Sequence, residues 1–149
     1  MDQKVLETLE FHKIKSQLAE FAASSLARER ALNLMPSSDF EEVQRLQEET
    51  DEAAQVLRVS GNVPLGGIFN ILPAVRRAEI GAMLHTEELV EISSTIRAGR
   101  ILIKFFASVK EKVEIPILEN IIETLNPPTE LERTIKSAID DQGEILDSA

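Results

Sequence analysis

Apolar residues recur along most of the chain at the spacing of amphipathic α-helices. Between Thr8 and Leu34 the steps are mostly of three and four residues, which is the period of one helix face. Residues 23–25 interrupt this pattern and Pro36 follows it, so two helices are predicted here. The apolar positions concerned are Leu9, Phe11, Ile14, Leu18, Phe21, Ala22, Leu26 and Leu32.

A long helix is predicted next, because residues that cap helix ends stand at both of its boundaries. Ser38 and Glu41 have the spacing of a capping box, in which each side chain accepts a hydrogen bond from the other residue's backbone N–H. Gly61 suits the position just past the end of the helix. The predicted inner face consists of Phe40, Val43, Leu46, Ala53 and either Val56 or Leu57.

In the second half of the chain, the sequence predicts a loop followed by three more helices. Residues 61–68 contain three glycines and a proline, which is the composition of a loop. A short helix is expected over 72–79, and Thr86 is expected to cap the longest helix, with acidic residues in its first turn. Pro116 begins a further helix over 117–125. The longest helix should turn inward Leu89, Ile92, Ile96, Leu102 or Ile103, Phe106 and Val109.

The end of the chain combines one more helix with a short extended segment. Thr129 and Glu132 have the spacing of a second capping box, which predicts a helix over 130–138. Around Gly143 the pattern changes to two short extended stretches, so a short β-hairpin is expected. The predicted fold is an all-α multi-helix bundle over 1–138, followed by a short extended segment over 139–149.

Composition excludes several classes of protein. The chain has 149 residues, 43% of them hydrophobic, and no cysteine, so thiol catalysis, cysteine-based zinc sites and disulfides are excluded. The amino terminus lacks a signal-peptide pattern, and no apolar run approaches the length of a membrane span. We therefore expect a cytoplasmic protein with no membrane partner.

The glycine-rich loop does not have the residues of a nucleotide site. Gly61 and Gly66 have the spacing of the two glycines in G-x-x-x-x-G-K-[ST]. Gly67 stands where that motif needs a phosphate-binding lysine, and Ile68 stands where it needs a hydroxyl that binds Mg²⁺. The loop is therefore predicted to be a structural turn.

The remaining candidates for chemistry also lack the required spacing. His12 and His85 are far apart in sequence, and neither has a metal-ligand pattern around it. The acidic run over 39–52 has helical spacing, and Glu41 and Arg45 are partners four residues apart, so a solvated helix face is predicted. We expect no catalytic, cofactor-binding or metal-binding residue in this chain.

Charge is distributed unevenly along the sequence. The net charge is −10, and residues 39–52 hold seven acids and one arginine, whereas residues 97–112 hold five bases and one acid. A basic stretch within an acidic chain is a candidate contact for a polyanion, and its alternative role is a solubilising helix face. The candidate residues are Arg97, Arg100, Lys104 and Lys110.

Five runs of residues, in order along the chain, resemble the amino-terminal region of the bacterial MutS-two family. They are VLxxLEFHKI at 5–14, QEETDEA at 47–53, VPLGGI at 63–68, RAEIG at 77–81 and GEILDSA at 143–149. This chain departs from the family pattern at three positions. Phe69 and Asn70 stand where relatives have a basic residue and an aspartate, and His85 stands where relatives often have a small polar residue.

The resemblance implies that this chain is one part of a larger protein. Members of the family are similar to MutS but lack its mismatch-recognition and connector domains. They begin in a helical core or lever region and continue into a coiled-coil clamp, an ABC-type ATPase domain and a small Smr nuclease domain. The resemblance therefore implies a non-catalytic core/lever part of a protein that binds ATP and Mg²⁺ elsewhere. The whole protein would be an ATP-driven dimer that binds branched DNA to suppress homologous recombination and acts on collided ribosomes.

Truncation of a discontinuous helical domain implies self-association. The resemblance implies that helices following the clamp return to the core and cover apolar side chains of its amino-terminal helices. Because those later helices are absent from this chain, we expect it to form a homodimer. Ile101, Phe105 and Phe106 are the candidate contacts, because apolar positions are too many there for a single inward stripe. Two hypotheses remain as alternatives to a core/lever part. One is a self-standing enzyme or small-ligand domain, and the other is a helical adaptor that binds a protein partner through its acidic helix.

Overall fold

The computed structural model describes residues 3–146, and these residues form eight helices. The fold is all-α, as the sequence predicts. None of the helices within residues 3–146 has the length and apolar composition that a transmembrane span requires. The helices are α1 (Gln3–Thr8), α2 (Phe11–Glu20), α3 (Ser25–Leu32), α4 (Phe40–Ser60), α5 (Leu72–Glu79), α6 (Thr86–Val109), α7 (Pro116–Glu123) and α8 (Thr129–Ala138).

The described chain divides into two compact units. Unit 1 contains residues 3–63 and Val109–Asn120, and unit 2 contains Pro64–Ser108 and residues 121–146. Helices α1 to α4 therefore belong to unit 1, whereas α5, α8 and nearly all of α6 belong to unit 2. The predicted division into 1–138 and 139–149 stays a prediction.

The first three helices of unit 1 are short and pack in sequence order. Helix α1 contacts α2, and α2 packs along α3, with Ser24 capping α3 by accepting a hydrogen bond from the N–H of Ala27 at 3.2 Å. Glu10, with a φ of 52°, separates α1 from α2, a break that the apolar spacing alone does not reveal. The buried apolar residues of this unit are Ala19, Ala31, Val56, Val109 and Ile115.

The start of α4 differs from the predicted capping box by one residue. Asp39 is the cap, and its carboxylate accepts a hydrogen bond from the N–H of Glu42 at 3.1 Å. The Ser37 hydroxyl donates to the Glu42 carboxylate, so the box predicted at Ser38 and Glu41 is wrong. A carboxylate at the cap position also interacts favourably with the positive end of the helix dipole, which Ser38 could not do.

The inner face of α4 is narrower than the apolar pattern predicts. Val56 is buried, but Phe40 at the first turn is exposed and so is Leu57. Glu52, predicted to lie on the solvated acidic face, is instead buried. Arg45 pairs with Glu49 at 3.8 Å rather than with Glu41.

Unit 2 has a core formed by α5, α6 and α8, and its composition agrees with the predicted inward positions of α6. Ala74 of α5, Ile92 and Ile96 of α6 and Ile135 of α8 form one buried cluster. Leu102 of α6 is buried as well. This packing brings α6 and α8 into contact, which determines which polar side chains of the two helices meet at the surface.

The first turn of α6 is capped by a neighbouring residue rather than by Thr86. The carbonyl of His85 accepts the first helical hydrogen bond, from the N–H of Leu89 at 3.2 Å. The Glu88 carboxylate accepts from the guanidinium of Arg77 and from the N–H of His85. These hydrogen bonds, that of Arg77 first, lower the pKa of Glu88 below its ordinary value.

The second predicted capping box also does not form. Thr129 is already the first residue of α8, and the carbonyl of Pro128 accepts the hydrogen bond of the Glu132 N–H at 3.2 Å. The Glu132 carboxylate is turned away from the helix start because it pairs with Arg100 of α6.

The extended segment after α8 forms the expected turn. Ile139 and Ile145 make an antiparallel bridge across it, and Gly143 adopts a φ of 86°. Asp140 stabilises the turn, since its Oδ1 accepts hydrogen bonds from the N–H groups of Gln142 and Glu144 at 2.9 and 2.8 Å. The rest of the predicted segment, 147–149, lies outside the described residues.

Gly67 has a conformation and a neighbour that together require glycine. Its φ is 79°, and a Cβ at this position would lie 2.9 Å from the Ser94 Oγ, which donates to the Gly67 carbonyl at 3.1 Å. Gly67→Ala should therefore lower the free energy of unfolding by about 1 kcal/mol. Gly66→Ala is the matched control, because nothing lies within 4 Å of its Cβ position. Urea unfolding of both variants measures the difference, and equal free energies of unfolding would contradict the strain.

Candidate nucleic-acid interface

The basic residues predicted on α6 do not form one uniform stripe. Arg97 and Lys104 are exposed, and neither has an ion-pair partner within residues 3–146. Arg100 is half-buried, because it faces α8. The spacing of three and four residues places these side chains on one side of α6, as predicted, but in different electrostatic environments.

Arg100 forms a fork-like ion pair with Glu132 of α8. Its Nε and Nη2 donate to the Glu132 carboxylate at 3.0 to 3.2 Å. Glu132 is 5% exposed, whereas the Arg100 side chain is 38% exposed. The pair neutralises part of the predicted positive charge, and it fixes the guanidinium in one orientation.

Lys110, the last of the predicted cations, lies beyond the end of α6 and belongs to unit 1. Its Nζ donates to the Glu119 carboxylate of α7 at 2.7 Å. The basic stretch that is continuous in sequence is therefore divided between two compact units. Whether any of the four predicted residues contacts a polyanion stays a prediction.

Helix α8 adds two cations that sequence analysis did not identify. Arg133 and Lys136 line, together with Arg100, Thr129 and Glu132, a concave surface with a volume of about 420 Å³. Arg133 pairs with Glu130 one helix turn away at 2.7 Å, and both side chains are well exposed. Lys136 lies 4.0 Å from the Glu132 carboxylate. Three cations thus line the surface that contains the buried Glu132 carboxylate, and two of them, Arg100 and Lys136, lie within 4.0 Å of it.

A second, smaller cavity adjoins this surface through Lys136. It has a volume of about 180 Å³ between α6, α8 and the turn that follows α8. Ser93 lines it and is 3% exposed, and the Ser93 Oγ has no hydrogen-bond partner among the described residues. A buried hydroxyl without a partner is uncommon in folded proteins. The polar residues lining the cavity are Ser93, Ser94, Arg97, Lys136, Asp140 and Asp141.

This arrangement has the residues of an anion-binding surface. No group of three or more His, Asp or Glu side chains among residues 3–146 is arranged to hold a metal ion. His12 and His85 are exposed and lie in different units. In the glycine-rich loop, a Cβ at Gly67 would lie 2.9 Å from the Ser94 Oγ, so the backbone there packs closely against α6. Arginine, lysine and serine side chains are the groups that proteins use to contact phosphate oxygens.

The residues predicted for self-association lie at the carboxyl-terminal part of α6. Ile101 is exposed, whereas Phe105 and Phe106 are half-buried. The two phenylalanine rings meet edge to face, with centroids 5.3 Å apart and planes at 86°. Other large apolar side chains are more exposed than these, among them Phe21, Phe40, Ile80 and Met83.

Comparison with known proteins relates the whole chain to part of much longer ones. It is 47% identical over 149 residues to the endonuclease MutS2 of Halalkalibacterium halodurans, covering 99% of this chain and 19% of that protein. It is 47% identical to the endonuclease MutS2 of Bacillus mycoides and 48% to that of a Geobacillus species, each over 150 residues and with the same 19% coverage. No family model matches the chain. The chain spans about a fifth of the length of these relatives, 19%.

Proposed function

We propose that this chain is a helical, non-catalytic part of a protein of the MutS-two family. The observation that carries the proposal is the 47% identity along essentially the whole chain to a protein named endonuclease MutS2. The all-α fold is consistent with the core/lever region that the sequence resemblance implies. In this role the two helical units position other parts of the protein, and this chain supplies no reacting group.

The activity of the whole protein is proposed from the same resemblance. It binds ATP and Mg²⁺ in another part of the polypeptide and acts as a cytoplasmic, ATP-driven dimer. As such it binds and cuts branched DNA, which suppresses homologous recombination, and it acts on collided ribosomes. The basic residues Arg97, Arg100, Lys104 and Lys110 are its proposed polyanion contacts in this chain.

Assays of the whole protein with both targets test this proposal. Purified whole protein should bind branched DNA and collided ribosomes, and ATP should change its affinity for each. Whole protein that binds neither target, with or without ATP, would contradict the proposed function.

Self-association of the 149-residue chain is a separate prediction. We expect a homodimer at micromolar concentration that buries Ile101, Phe105 and Phe106, because exposed apolar surface tends to become an interface. Phe105→Glu should dissociate this dimer, whereas the matched control Phe21→Glu changes an exposed phenylalanine of α2–α3 and should leave it intact. Sedimentation velocity measures both, with circular dichroism to confirm that the helices persist. A monomeric wild-type chain, or a dimer lost only in Phe21→Glu, would contradict the prediction.

A further inference from the structure

We propose that α6 and α8 together form two adjoining subsites for phosphate groups of the DNA backbone. The first subsite is the cavity lined by Ser93, Arg97 and Lys136, and the second is the concave surface lined by Arg100, Arg133 and Lys136. The inference deepens the proposed function by naming a DNA-contacting surface, and it rests on that function for the choice of DNA as the partner.

The first subsite combines two cations with a hydroxyl that lacks a partner. Arg97 belongs to α6 and Lys136 to α8, so each of the two helices supplies one cation to the cavity. The Ser93 Oγ is buried and unpartnered among the described residues, so it can donate to a phosphate oxygen once neighbouring side chains move to admit one. A phosphate group would provide an acceptor for this hydroxyl and a counter-charge for both cations.

The second subsite holds an arginine that is already oriented. Arg100 uses Nε and Nη2 in its bonds to Glu132, and its Nη1 takes no part in them. A guanidinium held in this way loses little side-chain freedom when its remaining N–H groups bind a phosphate. Lys136 lines both cavities, so it can lie between two successive phosphates.

Nearby carboxylates make the attraction weaker at the first subsite than at the second. Asp140 and Asp141 line the first cavity, although the Asp140 Oδ1 is already occupied by two backbone N–H groups of its own turn. The second surface contains one carboxylate, that of Glu132, against three cations, with Glu130 paired to Arg133 at its edge. We therefore expect weak binding that depends strongly on salt and requires a ligand with several phosphates.

Neutralising one cation from each helix tests the surface. We expect Arg97→Gln/Lys136→Gln to bind a short labelled DNA duplex about tenfold more weakly at low salt, with a salt slope lower by about two. The matched control is Arg28→Gln/Lys13→Gln, which makes the same change in charge on exposed residues of α2 and α3. Fluorescence anisotropy over a range of salt concentrations measures both, and urea unfolding confirms that both variants are folded. Equal weakening in the two double variants would overturn the proposal, as would binding of an RNA duplex but not of DNA.

Ser93→Ala provides an independent test of the first subsite. Removing an unpartnered buried hydroxyl should leave the stability unchanged or raise it, yet DNA affinity should fall about threefold if the hydroxyl donates to a phosphate. Unchanged affinity would overturn this subsite.

Measurements on the whole protein distinguish a wrong DNA-contacting surface from a wrong proposed function. If whole protein binds DNA equally with and without the Arg97/Lys136 change, the surface is wrong, and if wild-type whole protein binds no DNA, the proposed function is wrong.

Discussion

Replacing Arg100 with methionine is expected to lower the free energy of unfolding by about 2–4 kcal/mol, because it leaves a buried carboxylate without its partner. Glu132 is 5% exposed and would lose all of its hydrogen bonds to the guanidinium. Lys136, at 4.0 Å, would then be the nearest remaining cation. The partial exposure of Arg100, 38%, is the reason for expecting less than the full cost of breaking a buried pair.

A matched control exists on α8. Arg133→Met removes the same side chain from an exposed pair, in which Arg133 and Glu130 are 76% and 80% exposed, and should cost about 0–1 kcal/mol. The double variant Arg100→Met/Glu132→Met should recover most of the lost stability, because two apolar side chains of similar volume replace the pair. Far-UV circular dichroism must follow the urea transition, since the chain has no Trp or Tyr. Equal effects of Arg100→Met and Arg133→Met would contradict a stabilising role for the buried pair.

Glu52→Ala should lower the free energy of unfolding by about 2 kcal/mol by removing the cap of another helix. The Glu52 carboxylate accepts hydrogen bonds from the N–H groups of Ile117 and Leu118, at 3.0 and 2.8 Å, in the first turn of α7. The residue at the cap position itself, Ile115, has no polar side chain and is buried. Glu52, which is 7% exposed, thus satisfies two N–H groups that would otherwise be unpaired.

Asp51→Ala is the control for Glu52, because Asp51 is the neighbouring acid on α4 and is exposed. Its replacement should change stability by less than about 0.5 kcal/mol. Hydrogen exchange measured by NMR adds a local readout, since the amides of Ile117 and Leu118 should exchange faster in Glu52→Ala alone. Unchanged exchange at these two amides would contradict the capping role.

The sequence is sufficient to predict most of the helices. Their boundaries depend on local signals, such as Gly61 after α4 and Pro116 at the start of α7, and these act over one or two turns. The buried positions of α6 follow from the same periodicity. Local capping boxes were predicted less well, because several side chains near each helix start compete for the same N–H groups. The Glu132 carboxylate, for example, binds Arg100, which is distant in sequence, instead of an N–H group at the start of α8.

Long-range pairs could not be predicted, because their partners are far apart in sequence. Glu52 is 65 residues from Ile117, and Arg100 is 32 residues from Glu132. The position of both acids in the apolar pattern nevertheless indicates that each is buried. Glu52 lies four residues before buried Val56, and Glu132 lies three residues before buried Ile135, so each carboxylate occupies an apolar helix face. An acid at such a position requires a partner, although the sequence does not identify which one.

The candidate interface was only half predictable for the same reason. Helical spacing placed Arg97, Arg100 and Lys104 on one side of α6. Only the packing of α6 against α8 brings Arg133 and Lys136 to that side, and α8 has no net excess of basic residues that would have indicated it. The unpartnered hydroxyl of Ser93 is a property of the folded chain and has no signature in the sequence.

We propose that this chain is a non-catalytic part of a larger ATP-dependent endonuclease, and measuring the activities of the chain and of the whole protein side by side tests this proposal. ATP turnover and DNA nicking would be measured for the purified 149-residue chain and for the whole protein under the same conditions. We expect the whole protein to hydrolyse ATP and nick DNA, whereas the chain alone does neither. ATP turnover or nicking that co-purifies with the chain alone, and that is lost when the chain is removed, would contradict the proposal.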